Sequence, residues 1–452
     1  MGIYLERKVY GQLQAWKNKS NHSTLEVSGA RQVGKTYIVN KFADEAYQNK
    51  VYVNLLDFSG EMFLERYRDL RREMREGKEI ENPVHELLKR YRPDFADSKD
   101  TVVIIDEIQE SAEIYNRIRE FTRNLESDFI ITGSYLGRVL NKEFKYSAGD
   151  LDSLEVQTLS FEEFLEALGE KDVYDGLDLY GNSGADDYQK LEKLFRTYCK
   201  IGGYPAVVLK YLETRSQEEC QAELLKIIHL FIHESRRYFE DILDDAAYEN
   251  MFSGIARILA KEKKGFEEDS FSEELRGIVV KDYSSNISKA SVNRAIDWLY
   301  SSGIVGFAGK LPECRILDFK AKARCYFMDT GLAAYFLTKI GCPEGTVSGI
   351  LNENFVYLDL KRRTAHPFEI ALETPAFATL GNGEIDFYVK GIKSQKTYAV
   401  EVKAGKQSGR TAGEALEKRK ADAILYAKGN TKGGKADNIY TIPIYAIAKF
   451  HF

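Results

Sequence analysis

The sequence lacks the features of membrane-spanning and of disulfide-stabilised proteins. No apolar run in its 452 residues approaches the roughly 18 residues that cross a bilayer, and Met1–Lys8 contains no signal-peptide core. Its five cysteines are odd in number and show no C-x-x-C spacing, which argues against a disulfide framework and against structural zinc. The chain is too long for one hydrophobic core, so we expect a multidomain cytoplasmic protein with reduced thiols and no membrane partner.

A phosphate-binding loop is the strongest functional signal in the chain. Residues 29–36 read Gly-Ala-Arg-Gln-Val-Gly-Lys-Thr and fit the P-loop spacing of two glycines, a lysine and a hydroxyl. Gly29 and Gly34 let the backbone curl so that its N–H groups face the phosphates. We expect Lys35 to reach the β and γ oxygens and Thr36 to offer its hydroxyl to Mg²⁺. The alternative is a chance match in a turn, which the strand pattern before the loop and the helix pattern after it disfavour. We therefore expect ATP and Mg²⁺ as cofactors.

The second half of the expected site follows a buried strand. Residues 102–105 form an unbroken β-branched run typical of a parallel sheet, and the run ends in Asp106 and Glu107. We assign Asp106 to Mg²⁺ binding and Glu107 to catalysis, as the group that activates the attacking water. A strand that merely ends in solvated acids is the alternative, and the P-loop favours hydrolysis over it. A further strand leads into Thr132 and Ser134, so that either hydroxyl could contact the γ-phosphate.

Apolar segments in the first part of the chain alternate with helical patterns, as in a doubly wound α/β sheet. The predicted strands are residues 24–27, 51–55, 102–106, 129–132 and 154–159. From Phe161 to about Ala260 the pattern is mainly helical, with breaks at 181–184 and 202–205. We expect this helical segment to form a lid, with the nucleotide between it and the sheet.

Several motifs, taken together, resemble one protein family. The P-loop is followed by Ile-Ile-Asp-Glu-Ile-Gln at 104–109, and further matches lie at 131–134, 159–164, 202–205, 326–332 and 353–356. In this order they resemble a prokaryotic AAA-superfamily ATPase with an uncharacterised C-terminal domain. The resemblance implies an additional-strand P-loop ATPase core at 1–165, a helical lid at 166–260, a winged-helix region at 261–335, and a C-terminal α/β restriction-endonuclease-like domain of the PD-(D/E)XK nuclease type at 340–452. This chain departs from the family pattern at Asp150, where similar proteins often carry an arginine.

The expected winged-helix region contains an amphipathic helix. Ser288 can cap this helix, and apolar residues recur at positions i, i+3, i+4 and i+7 from Val292. Asn293 and Arg294 lie on the other face, where they could contact DNA bases or phosphates, but Asp297 would face the DNA backbone. Winged helices also join proteins without touching DNA, so the sequence leaves both roles open.

Two alternating segments near the C-terminus predict a hairpin with one polar face. Residues 384–389 and 398–403 alternate in polarity, and the turn between them would place Asp386 opposite Glu401, with Lys403 on the same face. Like charges that face each other across a β-ladder are unfavourable, so the paired carboxylates need a reason. A divalent metal ion is one such reason.

These residues match the D…E-x-K pattern of the nuclease family. We expect Asp386 and Glu401 to bind Mg²⁺, and Lys403 to orient a water or stabilise the phosphate in the transition state. Glu353, on the helix ahead of the hairpin, could complete the metal site. The alternatives are an amphipathic hairpin with a solvated acidic face, or an inactive descendant that retains the shape.

The distribution of charge is uneven along the chain, whose net charge is −6. From Lys390 to Lys435 there are twelve Lys or Arg and four Asp or Glu, which is typical either of a surface that binds DNA or RNA or of a solvated lysine-rich face. Two functions therefore fit the sequence. The first is an ATPase coupled to a nuclease-like domain that acts on or senses nucleic acid. The second is a nucleotide-dependent switch whose C-terminal domains are inactive protein-interaction modules. The sequence leaves the oligomeric state and the pathway open.

Overall fold

The computed structural model describes residues 4–133, 144, 149–239, 245–262, 270–282, 288–318, 320–365, 369–403 and 409–452. The chain divides into two compact units. The N-terminal unit comprises Glu6–Gln157 and Ser301–Gly303, and the C-terminal unit comprises Met1–Leu5, Thr158–Tyr300 and Ile304–Phe452. Within the ranges given above, none of the helices is both long and apolar enough to cross a bilayer.

A parallel sheet organises the N-terminal unit. Its strands are β1 (Thr24–Ser28), β2 (Asn49–Asn54), β3 (Thr101–Asp106), β4 (Asp128–Thr132) and β5 (Leu151–Glu155). They lie in the order β2-β3-β4-β1-β5 and all run parallel. The α/β prediction is confirmed, and β4 separates the strand before the P-loop from the strand that ends in Asp106, as the additional-strand arrangement requires.

Helices accompany this sheet and pack against it. They are α1 (Val9–Lys17), α2 (Lys35–Ala46), α3 (Phe58–Arg75), α4 (Pro83–Tyr91), α5 (Ala112–Tyr115) and α6 (Ile118–Asn124). Every residue of β3 is buried, because side chains on both of its faces are covered. On one face Val103 and Ile105 pack in a cluster with Phe63, Leu88 and Phe121. Polar and apolar residues do not alternate in this strand because it lies inside the sheet, with neighbouring strands on both sides.

The fifth strand of the sheet was predicted at the wrong residues. It was expected at 154–159, whereas β5 covers Leu151–Glu155 and forms the edge of the sheet. Val156 and Leu159 are buried although they lie outside any strand. Their apolar character comes from packing around a coil, and the polar residues of β5 reflect the exposure of an edge strand.

The C-terminal unit begins with helices and ends in mixed α/β structure. Its helices are α7 (Phe161–Leu168), α8 (Lys171–Asp175), α9 (Ala185–Ile201), α10 (Pro205–Thr214), α11 (Gln217–Phe239), α12 (Asp245–Glu262), α13 (Phe271–Asp282), α14 (Lys289–Ser301), α15 (Thr330–Lys339), α16 (Glu344–Thr364) and α17 (Arg410–Glu417). Its strands are β6 (Val305–Leu311), β7 (Arg324–Phe327), β8 (Ala376–Leu380), β9 (Gly383–Ile385), β10 (Phe387–Lys390), β11 (Thr397–Lys403), β12 (Ala423–Lys428), β13 (Gly434–Ala436) and β14 (Ile439–Pro443).

These strands form two sheets, with the orders β7-β6-β8-β9 and β10-β11-β12-β14-β13. The predicted hairpin is β10–β11, in which Phe387 pairs with Val400. Asp386 lies between β9 and β10, so the chain passes from one sheet to the other at this residue. The antiparallel pairing continued by one step brings Asp386 level with Glu401, as the sequence predicts.

The amphipathic helix predicted after Ser288 is α14. The Ser288 hydroxyl accepts a hydrogen bond from the Ser291 N–H at 3.0 Å, and Val292 is fully buried. Asn293 and Arg294 are exposed on the opposite face. The helix is followed by the antiparallel pair β6–β7, and a role for this segment in DNA binding stays a prediction.

Two of the glycine-containing motifs meet around one buried aspartate. Asp329 caps α15 by accepting hydrogen bonds from Gly331 and Leu332, and its second oxygen accepts one from the Gly203 N–H at 2.8 Å. Gly202 has φ +78°, and any side chain there would clash with the Asp329 carboxylate. Burial raises the pKa of Asp329, and the three backbone donors oppose that rise. These motifs therefore have a structural role.

Candidate functional site

The P-loop has a backbone conformation that favours glycine at two positions. Gly29 has φ +140° and Gly34 has φ +90°, and Gly34 directly precedes the first residue of α2. A Cβ on Gly29 would also clash with the carbonyl oxygen of Val156. Lys35 Nζ donates hydrogen bonds to the carbonyl oxygens of Gly29 and Ala30 at 2.9 and 2.8 Å, so its ammonium lies along the loop. The loop, the N-terminus of α2 and the lysine thus lie together, as expected of a phosphate-binding loop.

Asp106 is the hydrogen-bonding centre of the site. Its carboxylate is 2 % exposed and accepts hydrogen bonds from the Thr36 and Tyr52 hydroxyls, each at 2.8 Å, through Oδ2. Its Oδ1 accepts hydrogen bonds from the Glu107 N–H at 3.0 Å and from the Thr132 hydroxyl. The structure therefore brings together Thr36 and Asp106, the two residues predicted to hold Mg²⁺. Their hard oxygen atoms suit that ion.

Glu107 has an unusual backbone conformation for a residue with a side chain. Its φ is +54°, in the left-handed region that costs a non-glycine residue free energy. Gln109 donates a hydrogen bond from Nε2 to the Glu107 carboxylate. A Cβ on Gly133 would clash with the Gln109 amide oxygen, so Gly133 makes room for this side chain. Glu107 is thus oriented by its neighbours, and Ser134 lies outside the described residues.

Tyr52 is a residue of this site that the sequence did not reveal. Burial, followed by the charge of Asp106, raises the pKa of Tyr52, so its hydroxyl remains a hydrogen-bond donor at neutral pH. The residue belongs to no motif, and its place depends on β2 lying beside β3. An alternating strand at 49–54 gives no sign of which strand it will neighbour.

Asp150, which departs from the family pattern, is buried and paired with arginines. It is 3 % exposed, and Arg123 Nε donates a hydrogen bond to its Oδ1 at 2.8 Å. Arg119 approaches the other oxygen at 3.7 Å. The acid at this position therefore serves to anchor α6.

In the C-terminal unit, Glu401 and Lys403 form the centre of a carboxylate cluster. Glu401 is 2 % exposed, and Lys403 Nζ is 2.6 Å from its Oε2 and 3.7 Å from Oδ2 of Asp386. Burial raises the pKa of Glu401 to about 7; the charge of Asp386 adds to this rise, and Lys403 opposes it. Within the described part of the chain, Glu401 Oε1 has no hydrogen-bond partner. A buried carboxylate oxygen without a donor is costly, which makes it a place for a bound cation or a proton.

Glu353 lies near this cluster but is engaged by other groups. Its Oε1 accepts a hydrogen bond from the Tyr326 hydroxyl at 2.8 Å, and Arg324 Nη1 lies 3.4 Å away. Arg324 also forms an ion pair with Glu384. Over the ranges that the structure describes, no three Asp, Glu, His or Cys side chains group closely enough to hold a metal ion. Asp386 and Glu401 are therefore the remaining carboxylate pair, and Asp386 Oδ2 accepts the Val402 N–H at 2.7 Å.

Comparison with known proteins supports the assignment of the N-terminal unit. Residues 21–165 match the family model described as an AAA domain, and residues 192–341 match a domain of unknown function (DUF8612). No curated protein sequence matches the chain. The family match shows that residues 21–165 are similar to AAA-type P-loop ATPases.

The chain also shows a weak similarity to several solved structures. A Walker-type ATPase of Pyrococcus abyssi is 14 % identical, with 74 % of this chain and 96 % of that chain covered and a TM-score of 0.45. The Aeropyrum pernix ORC2 protein, in ADPNP and ADP complexes, is 13 % identical, with 79 % and 97 % covered and a TM-score of 0.35. The Aeropyrum pernix ORC1 protein in complex with DNA is 14 % identical, with 76 % and 92 % covered and a TM-score of 0.27. Because these TM-scores are below 0.5, the assignment depends on the family model.

Proposed function

We propose that the N-terminal unit binds ATP with Mg²⁺ and hydrolyses it. The observation that carries this proposal is the 2.8 Å hydrogen bond from the Thr36 hydroxyl to Asp106. Thr36 directly follows the glycine loop, in which Lys35 Nζ donates a hydrogen bond to the Gly29 carbonyl oxygen. Thr36 and Asp106 would hold Mg²⁺, and Lys35 would bind the β and γ phosphates. Magnesium would neutralise charge on the phosphates.

Glu107 is the group that would activate the attacking water. It follows the metal-binding aspartate directly, and its hydrogen bond with Gln109 fixes the orientation of the carboxylate. A general base must first lie within hydrogen-bond reach of the proton it removes, so a bond that fixes the Glu107 carboxylate would favour water activation. Ser134 stays a prediction for γ-phosphate contact.

Two substitutions test the proposed ATPase. Lys35→Ala should abolish tight ATP binding, because it removes the ammonium group that would meet the β and γ phosphates. Glu107→Gln should retain binding and lower turnover by about a hundredfold or more, since general-base catalysis contributes about 10²–10⁴. Calorimetric titration with ATP and measurement of phosphate release give the two quantities.

A matched control is Lys41→Ala on the same helix, which pairs with Glu45 and should leave both quantities unchanged. Wild-type ATP affinity and turnover in Lys35→Ala would contradict the assignment.

A second proposed function, metal-dependent phosphodiester cleavage, is favoured by one observation in the C-terminal unit. This observation is the buried Glu401 Oε1, which has no hydrogen-bond partner among the described residues, in a carboxylate that lies beside Asp386 and Lys403. Asp386 and Glu401 would hold the metal ion, and Lys403 would stabilise the developing charge on a phosphate. Glu353 stays a prediction as a further metal ligand, since Tyr326 and Arg324 engage its Oε1 in the structure. The N-terminal ATPase would control access of DNA or RNA to this site.

Glu401→Ala tests this second function. It should abolish Mg²⁺- or Mn²⁺-dependent cleavage of labelled DNA and RNA by the full chain while ATP turnover survives, because the two sites lie in separate units. Glu417→Ala, an exposed acid on α17, is the matched control and should leave cleavage unchanged. Cleavage that persists in Glu401→Ala, or that is absent from the wild type at millimolar metal, would instead favour the protein-interaction switch.

A further inference from the structure

Tyr52 makes a contact with the candidate metal site that no motif specifies. Its hydroxyl donates a hydrogen bond to Oδ2 of Asp106 at 2.8 Å, the same oxygen that accepts the Thr36 hydroxyl at 2.8 Å. We infer that Tyr52 is a positioning residue that orients the Asp106 carboxylate for the nucleotide-bound Mg²⁺. This inference rests on the proposed ATP site.

The sheet explains how Tyr52 reaches the carboxylate. In the register of β2 and β3, Tyr52 pairs with Ile104 and Asn54 pairs with Asp106. Side chains two residues apart point to the same face of a strand, so Tyr52, Ile104 and Asp106 share one face. The long phenol ring then extends along the strands toward Asp106, two residues beyond Ile104, and places its oxygen at the carboxylate. A shorter hydroxyl at position 52 would stop at Ile104.

The number of donors shows why this contact matters for orientation. A carboxylate has about four acceptor positions, and Asp106 uses them for Thr36, Tyr52, Thr132 and the Glu107 N–H. The Glu107 N–H and Thr132 fix Oδ1. Among the described residues, Oδ2 accepts hydrogen bonds from the two hydroxyls, and Thr36 is itself the residue that would bind Mg²⁺. Tyr52 is therefore the donor that can hold Oδ2 in place while the Thr36 oxygen serves the ion.

The test is Tyr52→Phe in the full chain, with ADP affinity measured by calorimetry in Mg²⁺ and in excess EDTA. The ratio of the two dissociation constants reports how strongly Mg²⁺ and nucleotide bind together. We expect Tyr52→Phe to reduce this ratio about tenfold, as loss of one hydrogen bond to a charged group does, with ADP affinity in EDTA unchanged. Tyr91→Phe is the matched control, because the Tyr91 hydroxyl donates to the Tyr52 carbonyl oxygen at 3.3 Å and does not contact Asp106.

The outcomes separate the inference from the function on which it rests. An unchanged ratio in Tyr52→Phe, or equal losses of affinity in Mg²⁺ and in EDTA, would overturn the positioning role, since a purely structural defect weakens both. The same reduction in Tyr91→Phe would also overturn it. A wild-type chain that binds no nucleotide would refute the proposed ATP site instead. A wild-type chain that binds ADP equally with and without Mg²⁺ would overturn the positioning role, because there would be no Mg²⁺ contact for Tyr52 to support.

Discussion

His22 shows how one residue can make the stability of the N-terminal unit depend on pH. Its Nδ1 lies 2.8 Å from the Lys19 carbonyl oxygen and its Nε2 lies 2.7 Å from the Asp128 carboxylate. A neutral imidazole can donate through only one nitrogen, whereas both partners are acceptors, so the arrangement favours the imidazolium. Burial lowers the pKa of His22, but the Lys19 carbonyl and the Asp128 carboxylate outweigh it and raise the pKa above 6.5.

This shift predicts a pH-dependent effect of His22→Gln. Because the pKa is higher in the folded than in the unfolded chain, the ion pair stabilises the fold fully below pH 6.5 and less as pH rises through the folded value. The melting temperature of His22→Gln should therefore fall below that of the wild type at pH 5.5, and the difference should be smaller at about pH 8.5. Calorimetric scans at both pH values measure the difference.

His85→Gln serves as the control for this effect. The His85 ring packs against the Phe95 ring, so its replacement should change the melting temperature equally at both pH values. A destabilisation by His22→Gln that is equal at both pH values would show that packing, including the contact with the Trp16 ring, explains it.

At the scale of secondary-structure elements, the sequence predicts those features that a short run of consecutive residues determines. The P-loop, its flanking strand and helix, and the strand ending in Asp106 are each encoded within a short segment, and the structure contains all of them. The position of β5 was wrong because its residues are polar at a sheet edge, while the apolar residues that follow are buried in coil.

The contacts that join elements required the structure. Tyr52 reaches Asp106 only because β2 is the neighbour of β3, and an alternating strand does not encode its neighbour. Asp329 and Gly203 meet across 126 residues, so their motifs could be seen in the sequence but their shared structural role could not. The register of β10 and β11 was predictable because a short turn fixes it, whereas the engagement of Glu353 by Arg324 was not.

At the scale of the whole molecule, charge is concentrated near the C-terminus. The segment Lys390–Lys435 has twelve basic and four acidic residues on a chain whose net charge is −6. Lys390, Lys393 and Lys396 are exposed in the structure, as are Lys418 and Arg419. Only part of this charge is compensated locally, as in the 3.3 Å pair of Lys418 with Glu414. The acidic remainder would repel nucleic acid, so any phosphate contact should concentrate on this segment.

This distribution predicts how nucleic-acid binding should respond to salt. Each phosphate that a lysine or arginine neutralises releases counterions, so affinity for a labelled single strand should fall steeply with salt. Neutralising Lys418, Arg419 and Lys420 together with glutamine should lower the log–log slope by about two units, because each contact contributes about 0.7 on a single strand. Fluorescence anisotropy titrations in the presence of ATP measure the slope.

As a control, the same change at Lys193, Lys200 and Lys226, which are exposed and lie outside the basic segment, should leave the slope unaltered. Equal slopes in the two triple variants would place the binding surface elsewhere. No binding at low salt would favour the protein-interaction switch, because a phosphate-binding surface of this charge has its highest affinity when counterions are few.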